Sequence, residues 1–331
     1  MEPVQLPQLA YVVAVAEERH FTRAAARLHL AQPSLSRQVR LLESELGVVL
    51  FNRGPGQGLV TLTAEGEALL PFIRRVLSDA EAVAAEARAL GGMARGRLSI
   101  GATPSLITRV LAPALVEFHG SHPGIELQVV EAGSPQLVLQ LASGEVDLAL
   151  VVLPIADPLV VTVPLFEDPL VLAVAPDHPL AGRAHVRVAD LDGLPLVMFR
   201  DGYDLRAVTL AACREAGVVP RLVSQGGEMD GVLAFVAAGL GAAVVPAIAM
   251  PTGPGDGGAP RPLSAIPFAR PGLSRTVALA HRADRPVPRT ARALADQLSN
   301  LYSAGRTTAT AGRDVGAATG TGRPPAAASR I

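Results

Sequence analysis

The stretch QPSLSRQVRLLESELG, Gln32 to Gly47, constrains this chain more than any other. Leu35, Val39, Leu42 and Leu46 recur at i, i+4, i+7 and i+11, which at about 100° per residue makes one apolar face of a helix. Pro33 suits the first helical position and Gly47 the residue after the last. Pro33, Ser36, Arg37, Arg40 and Ser44 are expected on the opposite face. Upstream, Leu6, Leu9, Val12, Val13 and Ala16 space an amphipathic helix over 6–17. Thr22 is expected to cap a second helix over 23–29, where Ala24, Ala25 and Ala26 let another helix approach closely. A short helix, a tight turn and a second helix with exposed Ser and Arg is a helix-turn-helix layout. Its second helix fits a major groove, where Arg forks onto guanine and Ser bonds to phosphate or base. The plain alternative is the solvated face of an ordinary helical hairpin.

A wing follows. The runs 49–51 and 60–62 are β-prone and flank Asn52-Arg53-Gly54-Pro55-Gly56-Gln57-Gly58, a hairpin whose glycine-rich tip would carry Arg53 toward a phosphate backbone or minor groove. The formal net charge is -1, so no overall basic field points to nucleic acid and the signal has to be local.

FTRAAARLHLAQPSLSRQVRLLESELGVVLFNR, followed by VTLTAEG, resembles the winged helix-turn-helix of LysR-type transcriptional regulators, without a gap through the whole stretch. The resemblance implies a DNA-binding domain over 1–63 in which Thr22, Gln32, Pro33, Ser36, Arg37 and Arg40 face double-stranded DNA, with Arg53 on the wing.

Thr63 is placed to cap a long Ala-, Leu- and Glu-rich helix over 64–90. Leu69, Ile73, Val76, Ala80, Val83, Ala87 and Leu90 alternate by four and three, the seam of a coiled coil that wants a partner, although Pro71 removes one backbone bond. Gly91 and Gly92 then break the helix. In the family the resemblance indicates, a linker helix (here 64–92) pairs two subunits. Two reading heads would then face a near-palindromic operator in a homodimer or homotetramer.

From Gly96 strands and helices alternate, which implies an α/β fold with a largely parallel sheet covered on both faces. Strands are expected over 97–100, 126–131, 147–153, 170–175, 196–199, 221–224, 242–245 and 276–280. Helices are expected over 106–119, 137–143, 208–216, 232–238 and 290–301. The order resembles the two-lobed, periplasmic-binding-protein-like effector domain of the same family, covering 95–301. Lobe I would take 95–163 and 269–301 and lobe II 164–268, with chain crossings near 161–165 and 266–270. The cleft between such lobes lies at strand ends, where ligands bind. Thr103, Ser105, Ser134, Phe199 and Arg200 sit at those turns and are the candidate contacts for a small-molecule effector, in this family frequently anionic. Hydroxyls at helix starts are also ordinary caps.

Other chemistries fall away. The chain contains no Lys, so a P-loop lysine, a Schiff base and a lysine general base are all excluded. Cys213 is alone, which excludes an intrachain disulfide and departs from the peroxide-sensing members of the family. Gly253 to Gly258 matches GxGxxG but contains Pro254 and opens no helix. His119 and His122 lack a third ligand, and neither GxSxG nor HExxH occurs. No cofactor, no metal site and no enzyme activity are expected. The uncharged run 232–250 is interrupted by Gly239, Gly241 and Pro246, so it reads as a buried helix, a turn and a strand rather than a membrane span. No secretory signal is visible, and a cytoplasmic protein is expected. The tail 302–331 has almost nothing large and apolar and is expected to be disordered.

The resulting expectation is a DNA-binding transcription regulator controlled by an effector held between two lobes. Its rivals are an α/β enzyme with a helical appendage, and an architectural DNA-binding protein with a filled cleft. The first predicts a nucleophile–base pair or cofactor fingerprint, and neither is found.

Overall fold

The computed structural model describes residues 4–53, 60–90, 96–251 and 262–311. The glycine-rich wing tip and the Gly253–Gly258 run lie outside the described residues.

Three helices open the chain: α1 (Leu6–Glu18), α2 (Phe21–Arg27) and α3 (Gln32–Leu46). Leu9, Val12 and Val15 of α1 pack with Leu35, Val39 and Leu42 of α3 and with Leu50 and Phe51 beyond it. Each fully buried leucine of that set contributes about 1.5–3 kcal/mol relative to exposure. Leu46, expected on the same face, is exposed, because Gly47 (φ +71°) ends the helix there and the chain turns away. The hairpin β1 (Phe51–Arg53) and β2 (Val60–Leu62) pairs Phe51 with Leu62 and Arg53 with Val60.

Helix α4 (Ala64–Leu90) continues through Pro71. Thr63 caps it, its hydroxyl oxygen accepting from the Gly66 N–H at 2.9 Å while the hydroxyl donates to the Val49 carbonyl at 2.6 Å. A Cβ on Gly66 would lie 2.2 Å from the Leu50 carbonyl oxygen, so only glycine lets the wing base meet the helix this closely. The expected single seam on α4 is divided. Ile73, with Leu69 and Leu77, joins the core of the first domain, whereas Phe72, Val76 and Val83 remain exposed on this chain.

The remainder is α/β. Strand β3 (Gly96–Ala102) is parallel to β4 (Ile125–Glu131) and to β5 (Leu148–Val152). Between β3 and β4 run α5 (Pro104–Leu106), a π-helical turn (Ile107–Leu111) and α6 (Ala112–Ser121). Helix α7 (Ser134–Ser143) joins β4 to β5. The long strand β6 (Val160–Val174) then leaves one lobe and enters the other. The second lobe adds β7 (Pro195–Phe199), α8 (Asp204–Glu215), β8 (Arg221–Gly227), α9 (Met229–Ala237), β9 (Ala243–Pro246) and β10 (Ser264–Pro267). Strand β11 (Ser274–Arg282) returns to the first lobe and ends in α10 (Arg289–Ala311).

The sheet is mixed rather than largely parallel. β11 is antiparallel to both β5 and β6, and β9 and β10 are antiparallel to β6. The two crossing strands run in opposite directions, which makes antiparallel pairing unavoidable at the junction. One core gathers Leu98, Ile100, Leu150, Leu165 and Leu279; another gathers Leu170, Leu172, Phe199, Val232 and Val244. The run expected to form a helix, turn and strand does so, with α9, Gly239 at φ +82° and β9. Among the described residues no helix is long and apolar enough to cross a membrane. Helix α10 extends past residue 302, where the sequence predicts a disordered tail to begin, as far as Ala311.

Arginine and aspartate side chains dock α4 onto the first lobe. Arg285 donates to Ser78 (3.0 Å), Asp79 (3.1 Å) and Asp147 (3.2 Å), and Arg282 donates to Asp79 (3.1 Å) and Asp284 (2.9 Å). Arg75 pairs with Asp284. Arg74 bridges Glu145 of this lobe (2.6 Å) and Glu17 of α1 (3.5 Å).

Candidate nucleic-acid interface and interlobe cleft

Helix α3 presents Gln32, Pro33, Ser34, Arg37, Arg40 and Ser44 to solvent, opposite Leu35, Val39 and Leu42. Neither Arg37 nor Arg40 has an ion pair with a described residue. The arginines of α2 are engaged: Arg23 with Glu18 (3.5 Å), and Arg27 with Glu17 (2.7 Å) and Glu18 (3.5 Å). Among the described residues the guanidinium groups of α3 are therefore unpaired and those of α2 tethered, and an unpaired exposed guanidinium has the donors that a base edge would require.

Two expectations here are corrected. Ser36 is buried, because the spacing 36, 39, 43 places it on the flank of the apolar face with Val39 and Glu43 rather than opposite it. Thr22 does not cap α2. That helix starts at Phe21, and His20 is its cap, accepting from the Thr22 N–H at 3.1 Å; Thr22 itself is exposed. The backbone of Arg53 pairs in the wing, and its side chain lies outside the described residues.

Sequence reasoning missed Glu43. Its buried carboxylate accepts from the N–H groups of Leu50 (2.9 Å) and Phe51 (3.3 Å), tying the start of the wing to α3. A carboxylate inside an apolar stripe was the available signal, since such a group must find donors.

Between the lobes is a cleft of about 130 Å³ whose walls include Ser105, Thr108 and Arg109 on one side and Glu228 and Asp230 on the other. Glu131 adds a further carboxylate, so the walls carry both signs of charge. That Arg109, Glu131, Glu228 and Asp230 line one cleft was not legible in the sequence, because the two lobes' residues become neighbours only when the lobes come together. The structure brings Ser105 to this cleft. Its hydroxyl accepts from Arg275 at 3.0 Å, and the same guanidinium makes a two-toothed contact with Asp168 at 2.8 and 3.0 Å. These two residues face each other in the β11–β6 ladder, and both are almost fully buried.

The other predicted contacts lie behind or beside the cleft. Thr103 is buried, and its hydroxyl neither caps α5 nor has a hydrogen-bond partner among the described residues. Ser134 accepts from the Val152 N–H (2.9 Å) and donates to Asp204 of the opposite lobe (2.8 Å). Burial pushes the Asp204 carboxyl above the usual carboxylate range, against the hydrogen bonds from Ser134 and the field of Arg275. Phe199 is buried, its ring stacked on Tyr203 at 4.7 Å. The buried Tyr203 hydroxyl has no hydrogen-bond partner among the described residues, and burial raises its pKa. Arg200 pairs with Glu228 at the rim and lies 5.7 Å from the Tyr203 ring centre. Cys213 is buried in the second lobe's core, which pushes its thiol up. Among the described residues no group of three or more His, Cys, Asp and Glu could hold a metal ion.

Residues 6–67 match the family model described as bacterial regulatory helix-turn-helix protein, lysR family, and residues 91–302 match the LysR substrate binding domain. The DNA-binding transcriptional dual regulator OxyR of Escherichia coli K12 is 35% identical over 284 residues, 86% of this chain and 91% of that protein. A probable hydrogen peroxide-inducible genes activator of Streptomyces viridosporus is 36% identical, over 84% of this chain and 88% of its own length. Among solved structures, a full-length OxyR variant from Pseudomonas aeruginosa superposes with a TM-score of 0.72 at 31% identity, covering 90% of this chain and 95% of that one. Full-length CbnR in complex with its target DNA superposes with a TM-score of 0.65 at 26% identity, covering 91% and 99%.

Proposed function

Because this chain belongs to the LysR family of bacterial transcription regulators, DNA-binding proteins with an effector-binding domain and not enzymes, we propose how its own residues divide that work. Residues 1–63 read the operator and 64–92 pair two subunits. Residues 95–301 sense a small molecule between their lobes, in a cytoplasmic protein. Helix α3 enters the major groove, with Arg37 and Arg40 on base edges and Gln32 and Pro33 at its leading end. Thr22 flanks it from α2, and Arg53 reaches the backbone from the wing.

One observation carries this reading: α3 buries Leu35, Val39 and Leu42 completely while both of its arginines stand exposed, with no ion pair to any other described residue. The effector is placed in the cleft beside Ser105 and Arg109, with Arg200 at the rim; Thr103, Ser134 and Phe199 support the walls from behind. Ligand contacts that differ between lobe arrangements shift their populations and so change the geometry of paired heads on DNA. Footprinting of the promoter of this gene with the purified protein tests it. A protected, near-palindromic region that survives moderate salt is expected, and protection no better than on random duplex overturns it.

The named relatives include hydrogen peroxide-inducible activators. An intrachain disulfide is not available to a chain whose one cysteine is Cys213, and that thiol is buried. The signal is therefore read by non-covalent contacts in the cleft. A footprint that responds to peroxide in the native protein but not in Cys213→Ser would overturn this part alone.

A further inference from the structure

Helix α7 begins without a cap of its own. Its N-cap residue is Gly133, which has no side chain to accept from the free N–H groups of the first turn. The missing acceptor arrives from the other lobe. Asp204, the first residue of α8, accepts from the Ser134 hydroxyl at 2.8 Å and lies 3.4 Å from the Ser134 backbone nitrogen. A single carboxylate thus sits between two helix starts, one in each lobe, where both positive dipole ends favour it. The backbones close up beside it: a Cβ on Gly133 would lie 2.6 Å from the Gly202 carbonyl oxygen. Behind Ser134 the same hydroxyl accepts from the Val152 N–H of β5, so the contact is anchored in the first lobe's sheet.

We propose that Asp204 is a tethered cap, a carboxylate of the second lobe that closes over the bare start of α7 and holds the two lobes together without any ligand. An effector that rearranges the lobes then works against a bond built into the chain. That regulatory meaning rests on the effector reading above; the latch itself does not.

Hydrogen exchange of the full-length protein tests the latch. In the native chain the peptide spanning 133–141 should be protected from its first residues onward. Asp204→Ala and Ser134→Ala should each speed exchange at the start of α7 about tenfold, with β3 and the buried strands of the second lobe unchanged. Gly133→Ala keeps both latch residues but wedges the backbones apart, and should expose the same segment. Rapid exchange there in the native protein overturns the proposal, whatever the variants do. So does unchanged exchange in a folded Asp204→Ala or Ser134→Ala protein. Loss of the operator footprint with the latch signature intact counts against the proposed function and not against the latch.

Discussion

Arg275 and Asp168 face one another across β11 and β6 at 2.8 Å, where the chain crosses between lobes, and neither side chain reaches solvent to any useful extent. A buried pair of this kind is costly to halve, because the surviving charge is left in a poorly polarisable setting. Arg275→Ala or Asp168→Ala should destabilise the effector domain by about 3–5 kcal/mol, while replacing both with apolar residues of similar volume should recover most of that loss. Denaturant unfolding of the four proteins measures it.

Arg37→Ala should remove a hydrogen bond to a base edge and relax sequence preference by ~1–3 kcal/mol at one operator position. Arg53→Ala should instead weaken binding to all duplexes alike and reduce the slope of affinity against salt by about one unit. Fluorescence anisotropy on operator and random duplex across a salt series separates the two. An Arg37→Ala protein with unaltered preference would refute the groove assignment.

Glu43→Ala should leave the Leu50 and Phe51 N–H groups buried without their acceptor, at a cost of about 1–3 kcal/mol. Glu43→Gln retains an acceptor and should be milder. Either change should displace the wing and leave Arg37 and Arg40 of α3, the proposed base readers, in place. DNA affinity, measured by the same anisotropy titrations, should therefore fall in both variants without a change of preferred sequence.

The docking of α4 should be acid-sensitive. The hydrogen bond from Arg282 holds the Asp284 carboxyl below its ordinary value of 3.8, with the Arg282 and Arg75 charges adding to it. A carboxyl depressed in the folded state binds fewer protons than in the unfolded chain, so its contribution is complete above the ordinary value and fades as the pH falls through the folded one. Native protein and Asp284→Asn should therefore differ in stability at neutral pH and converge on strong acidification. A difference that persists unchanged in strong acid would contradict this.

The reading head was legible because its periodicity and its punctuation agree: leucines at helical spacing, proline at the start of α3, glycine after its end. Ser36 and Thr22 were misplaced for a shared reason. One residue of rotation or register moves a side chain between faces, and local spacing cannot settle that once neighbours crowd the flank. The alternation of strands and helices revealed the α/β class but not the antiparallel junction, which depends on two crossings far apart in sequence. The cleft was the least legible part. Ser105 could be picked out at a helix start, but Arg109, Glu228 and Asp230 are ordinary surface charges until two lobes meet, and the partner of Ser134 lies seventy residues away.

With Arg74 gripping both α1 and the first lobe, and Arg282 and Arg285 pinning α4, the head, the linker and that lobe of one subunit form a single chassis. In the proposed mechanism the second lobe is then the moving member, joined to that chassis by the two crossing strands. Under the proposed function, a chemical message would reach the operator as leverage exerted by that lobe on neighbouring subunits, and not as a bend within the arm that carries α3.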